Sequence, residues 1–161
     1  MTLLLKNLLF MAVVPGTAAV YLPLYIARNQ SAGSGWVFGL ALTLLAVGGA
    51  LYAWCVWDFA VFGRGTPAPI DPPKRLVLRG LYRYTRNPMY LSVLTVILGW
   101  AVLYQAETLA LYALTLGLGF HLFIVFYEEP HLRKVFGKEY EDYCTEVGRW
   151  VPQFPHFPRP N

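Results

Sequence analysis

Two short runs, far apart in the chain, hold most of the residues able to do chemistry. Glu128 and Glu129 close one apolar stretch, and Arg86-Asn87-Pro88-Met89-Tyr90 opens another. Carboxylates at a helix C-terminus oppose the helix macrodipole, so an adjacent pair at a membrane boundary needs cationic company. Either a cationic ligand supplies it, or nearby arginines do, with Glu129 and Pro130 opening the next helix. Asn87 before Pro88 is a good helix start, because asparagine caps orphan N–H groups and proline suits the first helical position. His121 stands about two turns before Glu128. An ionisable group within an apolar span is a functional candidate. It faces a reaction chamber or donates to a neighbouring helix. Asp58 falls near the end of another apolar run, where hydration or Arg64 satisfies it.

Other chemistries drop out. Gly63 and Gly65 form a short GxG with no strand before it, so a dinucleotide fingerprint is unsupported. The chain has no HExxH, GxSxG, P-loop or paired CxxC, which removes the hydrolase, zinc and nucleoside-triphosphate readings. Cys55 and Cys144 lie in unlike surroundings and suggest neither a bridge nor a metal site.

The elements that must position these residues are apolar. Of 161 residues, 57% are hydrophobic and only 14% charged, with a mean hydropathy of +0.44. Soluble domains carry roughly a quarter charged residues, so an integral membrane protein is expected. No alternating segments of barrel type are visible, which leaves helices. We expect a single all-α membrane domain with about four transmembrane helices, spanning 8–26, 36–62, 87–104 and 107–127. Lys6 before the first run resembles a signal-peptide start, but the run stays apolar through Ile26 without a small-residue cleavage site, so it reads as a retained helix.

Charge sets the orientation. Every basic residue except Arg28 falls at the N-terminus, in the 63–86 loop or in the 128–161 tail. The positive-inside rule places all three in the cytoplasm, with both termini. The net charge of +4 then reflects topology and attraction to anionic lipid, not nucleic acid. Only Gln105 to Glu107 separate the last two spans. Those helices must form a tight hairpin that sets Arg86–Tyr90 beside Glu128–Glu129. Beyond Pro130, Leu132, Val135, Phe136, Tyr140, Tyr143, Cys144 and Val147 follow helical spacing, which predicts an amphipathic interfacial helix covering that end. The Pro-rich run from Pro152 to Pro160 reads as an extended strap.

The run LVLRGLYRYTRNPMY, an apolar hairpin and then EEPHLRKVFGKEYEDYCTEVGRWVP together resemble the isoprenylcysteine carboxyl methyltransferase and phospholipid N-methyltransferase superfamily of integral membrane enzymes. The resemblance covers about Lys74 to Pro152. It implies S-adenosylmethionine as cofactor, held at the cytoplasmic end of the hairpin by Leu76, Val77 and Tyr82, with Lys74 and Arg75, and by Arg86, Asn87, Pro88, Met89 and Tyr90. The cofactor glutamate falls on Glu128; Glu129, His121 or Tyr90 would assist an acceptor in losing its proton. Asn87 stands where the family often has histidine, and Ile124 where the prenylcysteine enzymes have an arginine for the substrate carboxylate. A lipid amine is therefore favoured as acceptor. The alternatives are a carboxylate, thiol or phenol on a hydrophobic small molecule, or a non-catalytic membrane scaffold. No inverted repeat suggests a transporter.

Overall fold

Apolar runs in lipid must satisfy their own backbone groups, and helices do so within one segment. The computed structural model describes residues 13–63 and 75–153. Arg64, Lys74, residues 8–12 of the first expected span and residues 154–160 of the expected strap lie outside that range. Helix α1 is Val13–Ile26, with a wide π turn at Thr17–Tyr21. Helix α2, Trp36–Asp58, is prolonged by a second π turn, Phe59–Gly63. A 3-10 turn at Gly80–Arg83 precedes α3, Pro88–Tyr104. Helix α4, Glu107–Phe123, runs through a third π turn, Ile124–Glu128, straight into α5, Glu129–Phe136, and α6 is Lys138–Glu146.

The chain is all-helical among the described residues. Trp36–Asp58 and the continuous Glu107–Phe136 stretch are long and apolar enough to cross a membrane, and Val13–Ile26 and Pro88–Tyr104 are shorter apolar helices. Leu111, Leu114, Leu118 and Phe126 stay exposed along one of them, as lipid-facing side chains do.

Helices α2 and α3 make the closest approach, across two glycines. A Cβ on Gly48 would lie 2.8 Å from Val96 Cγ2, and one on Gly99 would lie 2.9 Å from Leu45 Cγ. Small residues at such crossings let backbones meet, which is how helices gain dispersion energy in lipid. Helix α1 is fastened by side chains of the hairpin. Trp100 Nε1 donates to Ala19 O and Tyr112 Oη to Ala18 O, each at 2.9 Å, so both bonds land on the π turn of α1.

The hairpin forms as expected. Gln105 takes a left-handed conformation (φ 49°), Ala106 N–H donates to Ala101 O, and α4 begins at Glu107. At that end Ala27, Ala101, Ala106 and Leu109 pack together, while Gly33 N–H reaches Leu103 O. Val14 at the start of α1, Phe59 at the end of α2, Tyr90 and Glu128 share a cavity at the opposite end. The four helices therefore alternate in direction.

Two local expectations change. The amphipathic segment is two helices, because Gly137 (φ 54°) breaks it and α6 folds back over the loop. Tyr140, Tyr143 and Val147 are buried there against Leu76, Leu78, Leu132 and Phe136. Asn87 does not cap α3 with its side chain; its Nδ2 donates instead to Arg149 O at 3.1 Å. The first α3 turn is bonded by Leu91 N–H to Asn87 O and Ser92 Oγ to Pro88 O.

Candidate active site

The site is assembled from four separate pieces of sequence. Tyr82 is fixed by its 3-10 turn, by edge-on contact with Phe59 (ring centroids 5.3 Å apart) and by Tyr143, whose hydroxyl donates to Tyr82 O at 2.6 Å. Arg86 and Asn87 end that loop, and Pro88 at the first position of α3 directs Tyr90 inward. The π turn at the end of α4 delivers Ile124, Tyr127 and Glu128, and α5 begins with Glu129. Helix α6 closes the side with Tyr140 and Tyr143.

Together these residues enclose a cavity of about 570 Å³. Its polar lining is Arg86, Asn87, Tyr90, Glu128 and Glu129; Val14, Phe59, Phe120, Phe123, Ile124 and Tyr127 are among its apolar and aromatic lining. A smaller space of about 60 Å³ adjoins it, lined by Tyr82, Arg86, Asn87, Met89, Tyr90 and Glu128 among others.

The two glutamates are held differently. Glu129, 5% exposed, accepts from Arg149 Nε at 2.7 Å and Nη2 at 3.0 Å, and Arg86 Nη1 lies 3.2 Å away. Burial pushes its carboxyl up, but the Arg149 hydrogen bonds and the charges of Arg86, Arg149 and Arg133 outweigh burial and hold it below the usual carboxylate value. Glu128 has no ion-pair partner among the described residues and accepts only the Tyr90 hydroxyl, at 2.8 Å. Burial pushes its carboxyl up, the neighbouring Glu129 charge adds to that, and the Tyr90 hydrogen bond opposes it. Arg86 shows the complementary deficit. Its Nη1 serves Glu129 and the Cys144 sulfur, while its Nε is a buried donor without a partner. The cavity thus offers one carboxylate without a cationic partner among the described residues, with Arg86 in the same lining.

Of the residues singled out in the sequence, Leu76, Val77, Tyr82, Arg86, Asn87, Tyr90, Glu128 and Glu129 line the cavity. Met89 reaches only the smaller space, and Pro88 is buried at the helix start. Arg75 is exposed and absent from the lining. His121 does not line it either. Its Nδ1 accepts the Trp150 indole N–H at 3.1 Å, so its partner is the C-terminal segment and not a reaction chamber or a neighbouring helix. Asp58 is buried beside Gly80 and Trp54, away from the cavity.

Arg149 and the aromatic wall were not foreseen. Nothing local marks Arg149 off from the other tail cations; its role comes from the docking of residues 147–153 against the loop. Arg86 N–H donates to Gly148 O, Thr85 Oγ1 to Arg149 O, and Gln153 N–H to Tyr84 O. The wall had a weak signal, since Phe123, Tyr127 and His131 follow a four-residue period. Their rings stack in turn, with centroids 5.1 and 6.3 Å apart.

Compared with known proteins, residues 36–139 match the family model described as phospholipid methyltransferase. The matched span runs from the start of α2 into α6, includes Arg86, Asn87, Tyr90, Glu128 and Glu129, and stops before Arg149 and Trp150. No curated protein and no solved structure matches the chain.

Proposed function

The chain belongs to the phospholipid methyltransferase family of membrane-integral enzymes, and on that premise we propose that it methylates a lipid amine with S-adenosylmethionine at the cavity between α3 and α4. A Glu128 with no cationic partner among the described residues, in a lining shared with Arg86, carries this reading. S-adenosylmethionine is a zwitterion with an added sulfonium, so it needs one anionic and one cationic partner close together. Glu128 meets the cationic groups, and Arg86, with the α3 N-terminus, meets the carboxylate. Leu76, Val77 and Tyr82 give the adenine an apolar wall. Bound there, the cofactor supplies an electrophilic methyl group.

The remaining work falls to the chain. The cavity excludes water and fixes the approach of acceptor to donor, which is the main demand of a direct displacement. Val14, Phe123 and Tyr127 line the cavity and are exposed, which gives an acyl tail a sideways way in. Ile124 is 1% exposed and offers no cation to a carboxylate acceptor, which favours an amine. An amine must first lose a proton. Glu129 is bound by two arginines and His121 is outside the cavity, which leaves neither free to take it. We assign both termini, and with them the site, to the cytoplasmic side on the distribution of basic residues.

The test is calorimetric binding of S-adenosylmethionine to detergent-purified protein and to Glu128→Gln. Loss of a hydrogen-bonded charge contact predicts binding about 10- to 100-fold weaker in the variant. Equal affinity in a folded variant refutes the role of Glu128. Methyl transfer into phosphatidylethanolamine vesicles, against none into a fatty acid, distinguishes the amine acceptor from a carboxylate.

A further inference from the structure

Why Glu128 faces Tyr90 while Glu129 faces two arginines is a matter of helix register. Between Ile124 and Glu128 the helix is π-wound, and Glu129 N–H bonds to Ile124 O, five residues back. A π turn inserts one residue relative to an α-helix, and such turns are rare and recur at functional sites. Each residue of an α-helix advances about 100° around the axis. If the turn relaxed to α with α4 held in place, every later residue would move forward one position. Glu128 would then take the place now held by Glu129, and Tyr127 would take the place of Glu128.

Two adjacent tail residues grip the helix on either side of this turn. Trp150 Nε1 donates to His121 Nδ1, three residues before it, and Arg149 donates twice to Glu129, immediately after it. The backbone they belong to is fixed independently, through Thr85 Oγ1 and Asn87 Nδ2 to Arg149 O and Arg86 N–H to Gly148 O. In α1 the π turn at Thr17–Tyr21 is likewise held by donors from outside its own helix, Trp100 and Tyr112.

We propose that Arg149 and Trp150 form a two-residue staple that holds the Ile124–Glu128 turn in its π register, with Trp150 and His121 acting as positioning residues for Glu128. This rests on the assignment of Glu128 to the cofactor. Arg149 and Trp150 lie beyond residues 36–139, the span matched by the family model.

The experiment compares the full-length wild type, Trp150→Phe, His121→Leu and the double variant in detergent. Trp150→Phe keeps an aromatic ring, though a smaller one, and removes the donor; His121→Leu removes the acceptor by a second route should the first variant fold poorly. Backbone hydrogen exchange over Ile124–Glu129 reads the turn without any ligand. The staple requires faster exchange there in each single variant and no further increase in the double. Unchanged exchange, or additive effects, overturns it. S-adenosylmethionine affinity reads the consequence, with about a tenfold loss expected in Trp150→Phe. A register shift makes one further demand that general loosening does not. Tyr127→Glu, which returns a carboxylate to the vacated place, should restore binding in the Trp150→Phe background while giving no gain in the wild type. Failure of that rescue overturns the register mechanism. Wild-type protein that does not bind the cofactor would count against the proposed function, and the exchange data would still judge the staple.

Discussion

Replacing Arg149 with methionine isolates one interaction whose size follows from the geometry. The methionine keeps most of the apolar stem, and the Arg149 carbonyl goes on accepting from Thr85 and Asn87. What is lost is the two-pronged contact with Glu129 at 2.7 and 3.0 Å. Removing one partner of a fully buried ion pair costs about 3–5 kcal/mol, since the other charge is left unpaired. Two features reduce this. The Arg149 side chain is 32% exposed, against 7% for Glu129, and Arg86 stays 3.2 Å from the carboxylate. We expect about 2 kcal/mol, or a fall of about 4–8 °C in Tm for a chain of this length.

The pH dependence carries the second half of that prediction. A carboxyl held low in the folded state stabilises above its unfolded value and loses that contribution as pH falls through the folded value. Glu129 is such a group, so its stabilising share in the wild type declines as pH drops below the ordinary 4.5. In Arg149→Met the leading cause that opposes burial is gone, and this share shrinks. Thermal unfolding from pH 7 downward should therefore show two Tm curves that differ most near neutrality and converge in acid. Equal Tm values at pH 7, or curves that stay parallel into acid, would refute the reasoning.

Two further outcomes follow from individual contacts. Tyr90→Phe removes the hydrogen bond that opposes the upward push on Glu128; cofactor binding should weaken about fivefold at pH 7. Because the ionised form binds, the acid limb of binding lies above the ordinary 4.5 in the wild type and should move higher still in the variant, so an unmoved limb argues against the pair. Gly99→Ala drives a methyl group to within 3.1 Å of the Leu45 backbone nitrogen, whereas a Cβ on Gly119 meets nothing within 4 Å. The first should cost about 1–3 kcal/mol in thermal unfolding and the second almost nothing, and equal effects would mean that the α2–α3 crossing is not tightly packed.

The sequence alone determined where helices form and which ends come together. Long apolar runs have no way to satisfy their backbone in lipid except as helices. A separation as short as Gln105–Ala106 leaves α3 and α4 no arrangement but an antiparallel hairpin, so the meeting of Tyr90 with Glu128 was legible before any coordinates. Family-specific spacing added the loop residues Leu76, Val77 and Tyr82. The different partners of Glu128 and Glu129 were not legible, and neither were the break at Gly137, the turning of Asn87 toward Arg149 and the capture of His121 by Trp150. Periodicity counts 3.6 residues per turn and is blind to one added residue in a π turn, yet in the proposed register that residue sets which carboxylate meets Tyr90 and which meets the arginines. Tail cations of like sequence context are told apart only once the chain has folded back and brought one of them within 3 Å of a buried carboxylate. Such contacts are settled by tertiary packing, because the free energy of a charge depends on what surrounds it and not on its neighbours in the chain.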